Sequence, residues 1–440
     1  MIRLLAGRRA NGERGAVLVL TAVLVAFVAI GMLALTIDLG NITYNRAQLQ
    51  NGADAAALSL ASSCAEGSSQ CGLPDDTSDL TQLAQANANA SDQSMSILTG
   101  NNRTCISSAG AQYVTNHGST SNLPPCADPT ADSTDLGRCQ PWPLSQDWTT
   151  IPYVEVTTQT KMKDGGSFLP FYFAKGEGSQ SHTCSRAAWG PAAPSSANVL
   201  SLTMSECDWA SQTGYDVAQP PDNQPNFKLA PPPVYTGDSS PDYGYDSVPG
   251  DSIPDWPTQH GVFSKGNDTT CHTSAPGGTA PGGFAWLTAF TACQATVSDG
   301  WVQGSTGANS HCTDDELEKL LGHVAYIPVF NCVFGSRPPQ GYVIKSGDNC
   351  NSGTGNNTFY HISGYAAFYV SGWYFNPPNQ STIVPGGTDA CGKKVAGSGA
   401  NDRCIFGWFT AALVSDPDLS IQPPTQGDPN YGLSVVKPAG

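Results

Sequence analysis

Cysteine is the residue type whose chemistry dominates this sequence: there are fourteen in 440 residues. Thiols at fixed spacing hold a metal, attack as nucleophiles or pair as disulfides. A structural zinc site wants closely spaced pairs of the C-x-x-C kind, and none occurs. All fourteen, from Cys64 to Cys404, follow an uncharged apolar run at residues 16–37. That one-sided distribution is expected of chain lying in an oxidising compartment beyond a membrane. An even count leaves no thiol obligatorily free to act as a nucleophile. Proximity selects Cys64–Cys71, Cys293–Cys312 and Cys391–Cys404 as candidate local bridges, each closing a loop of about twenty residues or fewer, although sequence does not fix connectivity.

Other ligand-type residues form weaker patterns. Asp92, Ser94 and Ser96 fit D-x-S-x-S, the spacing of one Mg²⁺-binding loop. Such a loop needs a buried strand immediately before the Asp, and the preceding residues 83–91 alternate Ala with Asn and Gln instead. The densest cluster is His311, Cys312, Asp314, Asp315, Glu316, Glu318 and His323. It lacks H-E-x-x-H spacing, and its acids fall in the first turn of an expected helix, where they complement the helix dipole. Neither G-x-S-x-G nor a Walker loop occurs. Asn41, Asn89, Asn102, Asn267, Asn356 and Asn379 begin N-x-S/T sequons, as a Ser/Thr/Asn-rich composition produces by chance. No catalytic, cofactor-binding or metal residue is assigned, and the chain is expected not to be an enzyme. The rival is a membrane-tethered glycan-binding module or hydrolase, with Trp286, Trp301, Trp373 and Trp408 as sugar-stacking candidates. The default for strand aromatics is core packing.

The elements that must position these groups begin at the apolar run. Residues 16–37 carry no charge, and about twenty apolar residues at about 1.5 Å each cross the hydrocarbon core. A cleaved signal peptide would have a shorter apolar stretch of about 7–15 residues, so an uncleaved anchor is the expectation. Arg3, Arg8, Arg9 and Arg14 precede the run and Asp38 follows it, which puts the N-terminus in the cytoplasm and the rest outside. Ala22 and Ala26 have a spacing compatible with close helix packing, common by chance. Residues 41–61 contain no proline and end in strong helix formers, so the helix should continue outward as a stalk despite Gly52. Beyond Asp38 the chain is acidic, 34 acidic residues against 16 basic ones. That balance argues against nucleic acid as a partner.

Glu13-Arg14-Gly15-Ala16, the apolar run, residues 35–40 (LTIDLG) and residues 46–58 (RAQLQNGADAAAL) together resemble the N-terminal module of TadG-like proteins of Flp-pilus (tight adherence) assembly. The likeness implies a membrane-anchored pilus-assembly or adhesion component, with other Tad/Flp assembly proteins as partners besides the lipid bilayer, and a cell-wall or surface glycan as a further candidate. Some members of the family also carry the D-x-S-x-S loop. Pilin-like relatives place Glu where this chain has Leu20, so the resemblance implies neither prepilin cleavage nor polymerisation. A looser likeness extends over residues 173–191 and over segments around Trp286, Ile327, Tyr365 and Trp408.

The fold expectation is a membrane-anchored α+β chain: one transmembrane helix, a helical stalk and a β-rich disulfide-bonded ectodomain. Its divisions are a basic cytoplasmic tip at 1–15, the span at 16–38, the stalk at 39–62, and a Cys/Ser-rich irregular region at 63–150 with a short helix near 80–90. A first β lobe follows at 151–214, a Pro/Gly-rich linker at 215–283, a second β lobe at 284–414 and a flexible tail at 415–440. Strands are expected at 151–160, 198–207, 323–334, 341–345, 358–375 and 403–414. Residues 167–174 form a further apolar run. Thr313 and Glu316 form a capping box opening a helix through Leu321, with Gly322 as its stop.

Overall fold

The computed structural model describes residues 10–65, 71, 78–87, 94–97, 104–116, 120–127, 139, 149–161, 182–193, 196–215, 259–263, 286–291, 293–305, 312–345, 348–350, 358–376, 379–382, 404–414, 419–421 and 431–439. A single helix, α1 (Ala10–Ala65), runs unbroken for 56 residues, about 84 Å at 1.5 Å per residue. It starts inside the expected cytoplasmic tip and passes through Gly31, Gly40 and Gly52 without interruption. Shorter helices follow: α2 (Ser78–Asn87), α3 (Ser108–Asn116), α4 (Glu206–Thr213) and α5 (Asp314–Glu318).

The strands make two sheets, and the chain enters the first twice. β1 (Ser94–Ile97), β2 (Thr104–Ile106), β3 (Tyr153–Lys161) and β4 (His182–Ala193) open the first sheet, with β1 and β2 both antiparallel to β3. The chain then builds the second sheet from β5 (Ser196–Leu200), β6 (Met204–Ser205), β7 (His260–Phe263), β8 (Ala289–Thr291), β9 (Gln294–Ser298), β10 (Trp301–Gln303), β11 (Val324–Phe334), β12 (Phe359–Asn376), β13 (Asn379–Thr382) and β14 (Cys404–Phe409). The 18-residue β12 is its spine, paired with β11 along one edge and with β10 and β14 along the other. The chain finally returns to the first sheet as β15 (Ala412–Val414), β16 (Ser420–Ile421) and β17 (Leu433–Pro438), giving the order β1-β3-β4-β17-β15.

This return corrects two expectations. The expected lobe 151–214 is divided, since β3 and β4 lie in one sheet and β5 and β6 in the other. The expected flexible tail contains β17, whose Leu433, Val435 and Val436 are all buried. Proline and glycine nearby suggested fraying, but alternate residues of this strand meet apolar surface on both faces, and that burial decides its structure. Gly432 bridges Ala366 on β12, and Leu433 and Val435 share a core with Phe330, Ile362 and Tyr365 of the second sheet. β17 thus lies at the seam between the two sheets.

Smaller corrections have local causes. Residues 341–345 form a turn and irregular chain, not a strand. Residues 198–207 split into β5, β6 and the start of α4, where the Ser205 hydroxyl accepts a hydrogen bond from the Asp208 N–H at 3.0 Å and so opens the helix. The Pro/Gly-rich stretch holds β7, paired with β14. α5 ends at Glu318, short of Leu321; Thr313 is its N-cap but makes no side-chain cap bond, while Gly322 adopts φ +75° as a stop requires. The apolar run 167–174 lies outside the described residues.

Candidate functional site

The feature that distinguishes this molecule is α1, whose two halves meet different surroundings. Val17–Ile37 has a mean hydropathy of 2.9 over its most apolar window, none of which is buried inside the chain. Leu18, Leu24, Phe27, Ile30 and Leu33 are each more than half exposed. Leaving such side chains in water forgoes about 1.5–3 kcal/mol each. Thr21 and Thr36 donate their hydroxyls back to the Val17 and Leu33 carbonyls at 2.8 Å, so they add no unsatisfied polar group to the apolar surface.

From Leu49 onward the same helix is core. Leu49, Ala53, Ala56, Ala57, Leu60, Ala61 and Cys64 are buried, and the segment packs with Val154 and Val156 of β3, Trp189 of β4 and Val436 of β17. The small side chains at 53, 56, 57 and 61 let the helix backbone lie close on the sheet. Two bonds mark where docking begins: Thr158 Oγ1 donates to the Leu49 carbonyl at 3.1 Å, and Gln50 Nε2 to the Cys184 carbonyl at 3.2 Å. The expected stalk at 39–62 is therefore not a free rod. Its second half is an integral helix of the head, because its Ala-rich face is a packing surface.

The opposite face of the first sheet holds a buried ion pair. Glu155 on β3 and Arg186 on β4 are cross-strand partners, the guanidinium Nε donating to Glu155 Oε1 at 2.5 Å with side chains 11% and 3% exposed. Arg186 also lies 5.9 Å from the centre of the Tyr153 ring. Two disulfides, Cys105–Cys126 and Cys139–Cys184, flank the pair, and their sulfurs lie within 4.8 Å of the Glu155 carboxylate in three-residue groups of metal-ligand type. These sulfurs are already bonded to one another and the carboxylate is held by Arg186, so the arrangement serves as a covalently and electrostatically locked layer. Nothing in the sequence pointed to Glu155 or Arg186. They are 31 residues apart, and only strand register brings them together.

Of the candidate bridges, the structure joins Cys64 to Cys71 and Cys293 to Cys312, and further pairs Cys332 with Cys350. Cys404 and Cys207 are also disulfide-bonded, and no free cysteine is found among the described residues; Cys391 lies outside them. The acidic cluster is dispersed into structural roles: Cys312 is in its disulfide, Glu316 accepts from Lys319 Nζ at 2.7 Å, and Glu318 accepts from Ser381 Oγ at 3.1 Å. The Glu316 carboxylate raises the Lys319 ammonium above its ordinary value. His311 lies outside the described residues. Asp92 does too, while Ser94 and Ser96 lie on β1.

The four tryptophans considered for sugar stacking are buried: Trp286, Trp301, Trp373 and Trp408 are at most 5% exposed. Trp301 stacks on Phe334 at 5.3 Å and lies 4.8 Å from His361, whose Nδ1–H donates to Asn331 Oδ1 at 2.8 Å. Burial lowers the His361 pKa to about 4, so the ring is neutral at pH 7.

The chain is thus a disulfide-bonded β head carrying a single exposed apolar N-terminal helix. Residues 15–62 match the model of the TadE/G-like family of Flp pilus assembly, to which this N-terminal module is similar. The matched residues take in the whole span and the docked half of α1 almost to its end; the looser likeness at 173–191 and beyond falls outside the match. No curated protein and no solved structure matches the chain.

Proposed function

We propose that this chain is a non-catalytic, envelope-anchored component of Flp pilus assembly or adhesion, held by Val17–Ile37 in the bilayer with its N-terminus cytoplasmic and its disulfide-bonded head outside. The observation that carries the reading is the fully exposed apolar helix continuous with a TadE/G-like module. Lipid is the solvent in which such a surface is stable. The arginines before the span support the orientation, as does the oxidised state of the head's described cysteines. Other Tad/Flp assembly proteins are the proposed partners, through the helix in the membrane and through the head outside it. The glycan-binding or hydrolytic alternative has no observation in its favour, because its tryptophans are packed inside.

The test is genetic and biochemical. In a host that assembles Flp pili, deleting the gene should abolish surface pili or adherence. The full chain should restore them, and a chain lacking residues 17–37 should not. Normal piliation without the gene would contradict the assembly role.

A further inference from the structure

We infer that the Cys293–Cys312 bridge is a thiol-exchange site, a disulfide opened by a protein dithiol; the inference goes beyond the anchoring role and does not rest on it. The observation that carries it is the Ser201 hydroxyl. Ser201 is fully buried, and its Oγ lies 3.6 Å from Cys293 Sγ and 3.9 Å from Cys312 Sγ. Among the described residues these two sulfurs are the hydroxyl's only partners. The backbone holds it beside the bridge: the Ser201 N–H donates to the Cys293 carbonyl at 2.9 Å, and the Ser201 carbonyl accepts from the Leu287 N–H at 2.8 Å. A bonded sulfur is a weak acceptor, and a buried hydroxyl with nothing better is under-satisfied. A thiolate in the same place is a strong acceptor, and a hydrogen bond to the charged form favours that form. Ser201 therefore stabilises the reduced state more than the oxidised one.

Cys293 itself occupies a position that disfavours its residue type. β8 and β9 pair Thr291 with Gln294 across a two-residue turn, and Cys293 takes that turn at φ +61°. Glycine or asparagine suits such a position best, so the bridge and not the turn accounts for cysteine here. Opening the bridge removes one of the two constraints that hold this backbone left-handed. Two other bridges give the contrast. Cys64–Cys71 lies in the apolar core with Leu60 and Trp189, and Cys332 is fully buried in its bridge to Cys350. Among the described residues no hydroxyl reaches the sulfurs of either, and apolar surroundings disfavour a thiolate. The two sulfurs of the exchange site are not equivalent, since Cys312 is partly exposed and Cys293 buried. An incoming thiolate attacks Cys312 Sγ and forms a mixed disulfide as the bond to Cys293 breaks, and Cys293 leaves as a thiolate held by the Ser201 hydroxyl. The second thiolate of the dithiol then attacks its own sulfur in the mixed disulfide and releases Cys312. The dithiol ends as a disulfide, having given up two electrons, and its two protons end on Cys293 and Cys312. What comes free is the tie between the β8–β9 turn and the start of α5.

Redox titration of the full chain in detergent tests this. The protein is equilibrated at neutral pH in mixtures of reduced and oxidised dithiothreitol and quenched with acid, and each bridge is scored by differential alkylation and peptide mass spectrometry. Cys293–Cys312 should be half-reduced at a reduced-to-oxidised ratio at least about tenfold below that of Cys64–Cys71 and Cys332–Cys350. Ser201→Ala should raise the ratio for Cys293–Cys312 by about threefold or more and leave that for Cys332–Cys350 where it was. Brief treatment with reduced glutathione should place the mixed disulfide on Cys312. Opening of Cys293–Cys312 together with or after the other two bridges, or an unmoved ratio in Ser201→Ala, overturns the inference. Glutathione found on Cys293 instead overturns the direction of attack. Should Ser201→Ala fail to fold, the order of opening in the unaltered chain decides alone.

Discussion

At the level of single residues, the head is held by a few buried polar groups whose partners the sequence did not reveal. The Glu155–Arg186 pair is the clearest. Removing one member takes away the other's ion-pair partner in a buried layer between two disulfides, so Glu155→Ala or Arg186→Met should each cost about 3–5 kcal/mol, whereas the double change to apolar residues should cost markedly less. Denaturant unfolding of the detergent-solubilised chain measures both. His361 makes a pH-dependent contribution of definite sign. Its folded pKa, about 4, lies below the ordinary 6.5, so the unfolded chain binds the extra proton first. That share of stability is complete above about pH 6.5 and is lost as pH falls toward 4, at up to about 1.4 kcal/mol per unit. A His361→Asn variant should flatten the stability profile in that window; an unchanged slope would contradict the assignment. The Tyr365 hydroxyl is buried and has no hydrogen-bond partner among the described residues, so Tyr365→Phe should leave stability unchanged or raise it by about 1 kcal/mol. The cysteines, by contrast, were legible as a class: their number and one-sided placement implied disulfides, and short separations picked out Cys64–Cys71, Cys293–Cys312 and Cys391–Cys404, of which the first two are joined and the third includes a residue outside those described. Pairs such as Cys139–Cys184, 45 residues apart, depend on strand register and could not be read in advance.

At the scale of elements, periodicity and composition located most of the regular structure. Val324–Phe334 and Phe359–Asn376 follow β-branched and aromatic runs closely, and α1 follows from an apolar run and proline-free chain after it. What sequence could not supply was which elements share a sheet. Leu433–Pro438 looked like an ordinary tail because its burial comes from β4, β12 and α1, all distant in sequence. Its position gives an expected outcome: Val435→Asp should unfold the head or leave it prone to proteolysis, since an unpaired charge would enter a core shared by both sheets. A protease-resistant Val435→Asp head would refute the seam assignment. Gly407 on β14 is required for a different reason. A Cβ there would fall on the Tyr369 backbone carbonyl of β12, where the ladder shifts register between Val370 and Gly372. Gly407→Ala should therefore cost at least about 2 kcal/mol by thermal unfolding, and neutrality would show that the two strands separate more readily than their pairing implies.

For the whole molecule, the partition of α1 into an exposed apolar half and a docked Ala-rich half organises everything else. The first half was evident from its lack of charge. The second was expected as helix and is helix, but the surface it docks on comes from strands distant in sequence, so it reads as a stalk in the sequence alone. The helix is unbroken across both halves. Membrane fractionation with protease protection tests the central claim most directly. After alkaline carbonate washing of cell membranes, the full chain should remain in the pellet, and protease added to intact spheroplasts should degrade the head while a cytoplasmic marker survives. Release into the wash, or a head protected until the cells are lysed, would contradict the account.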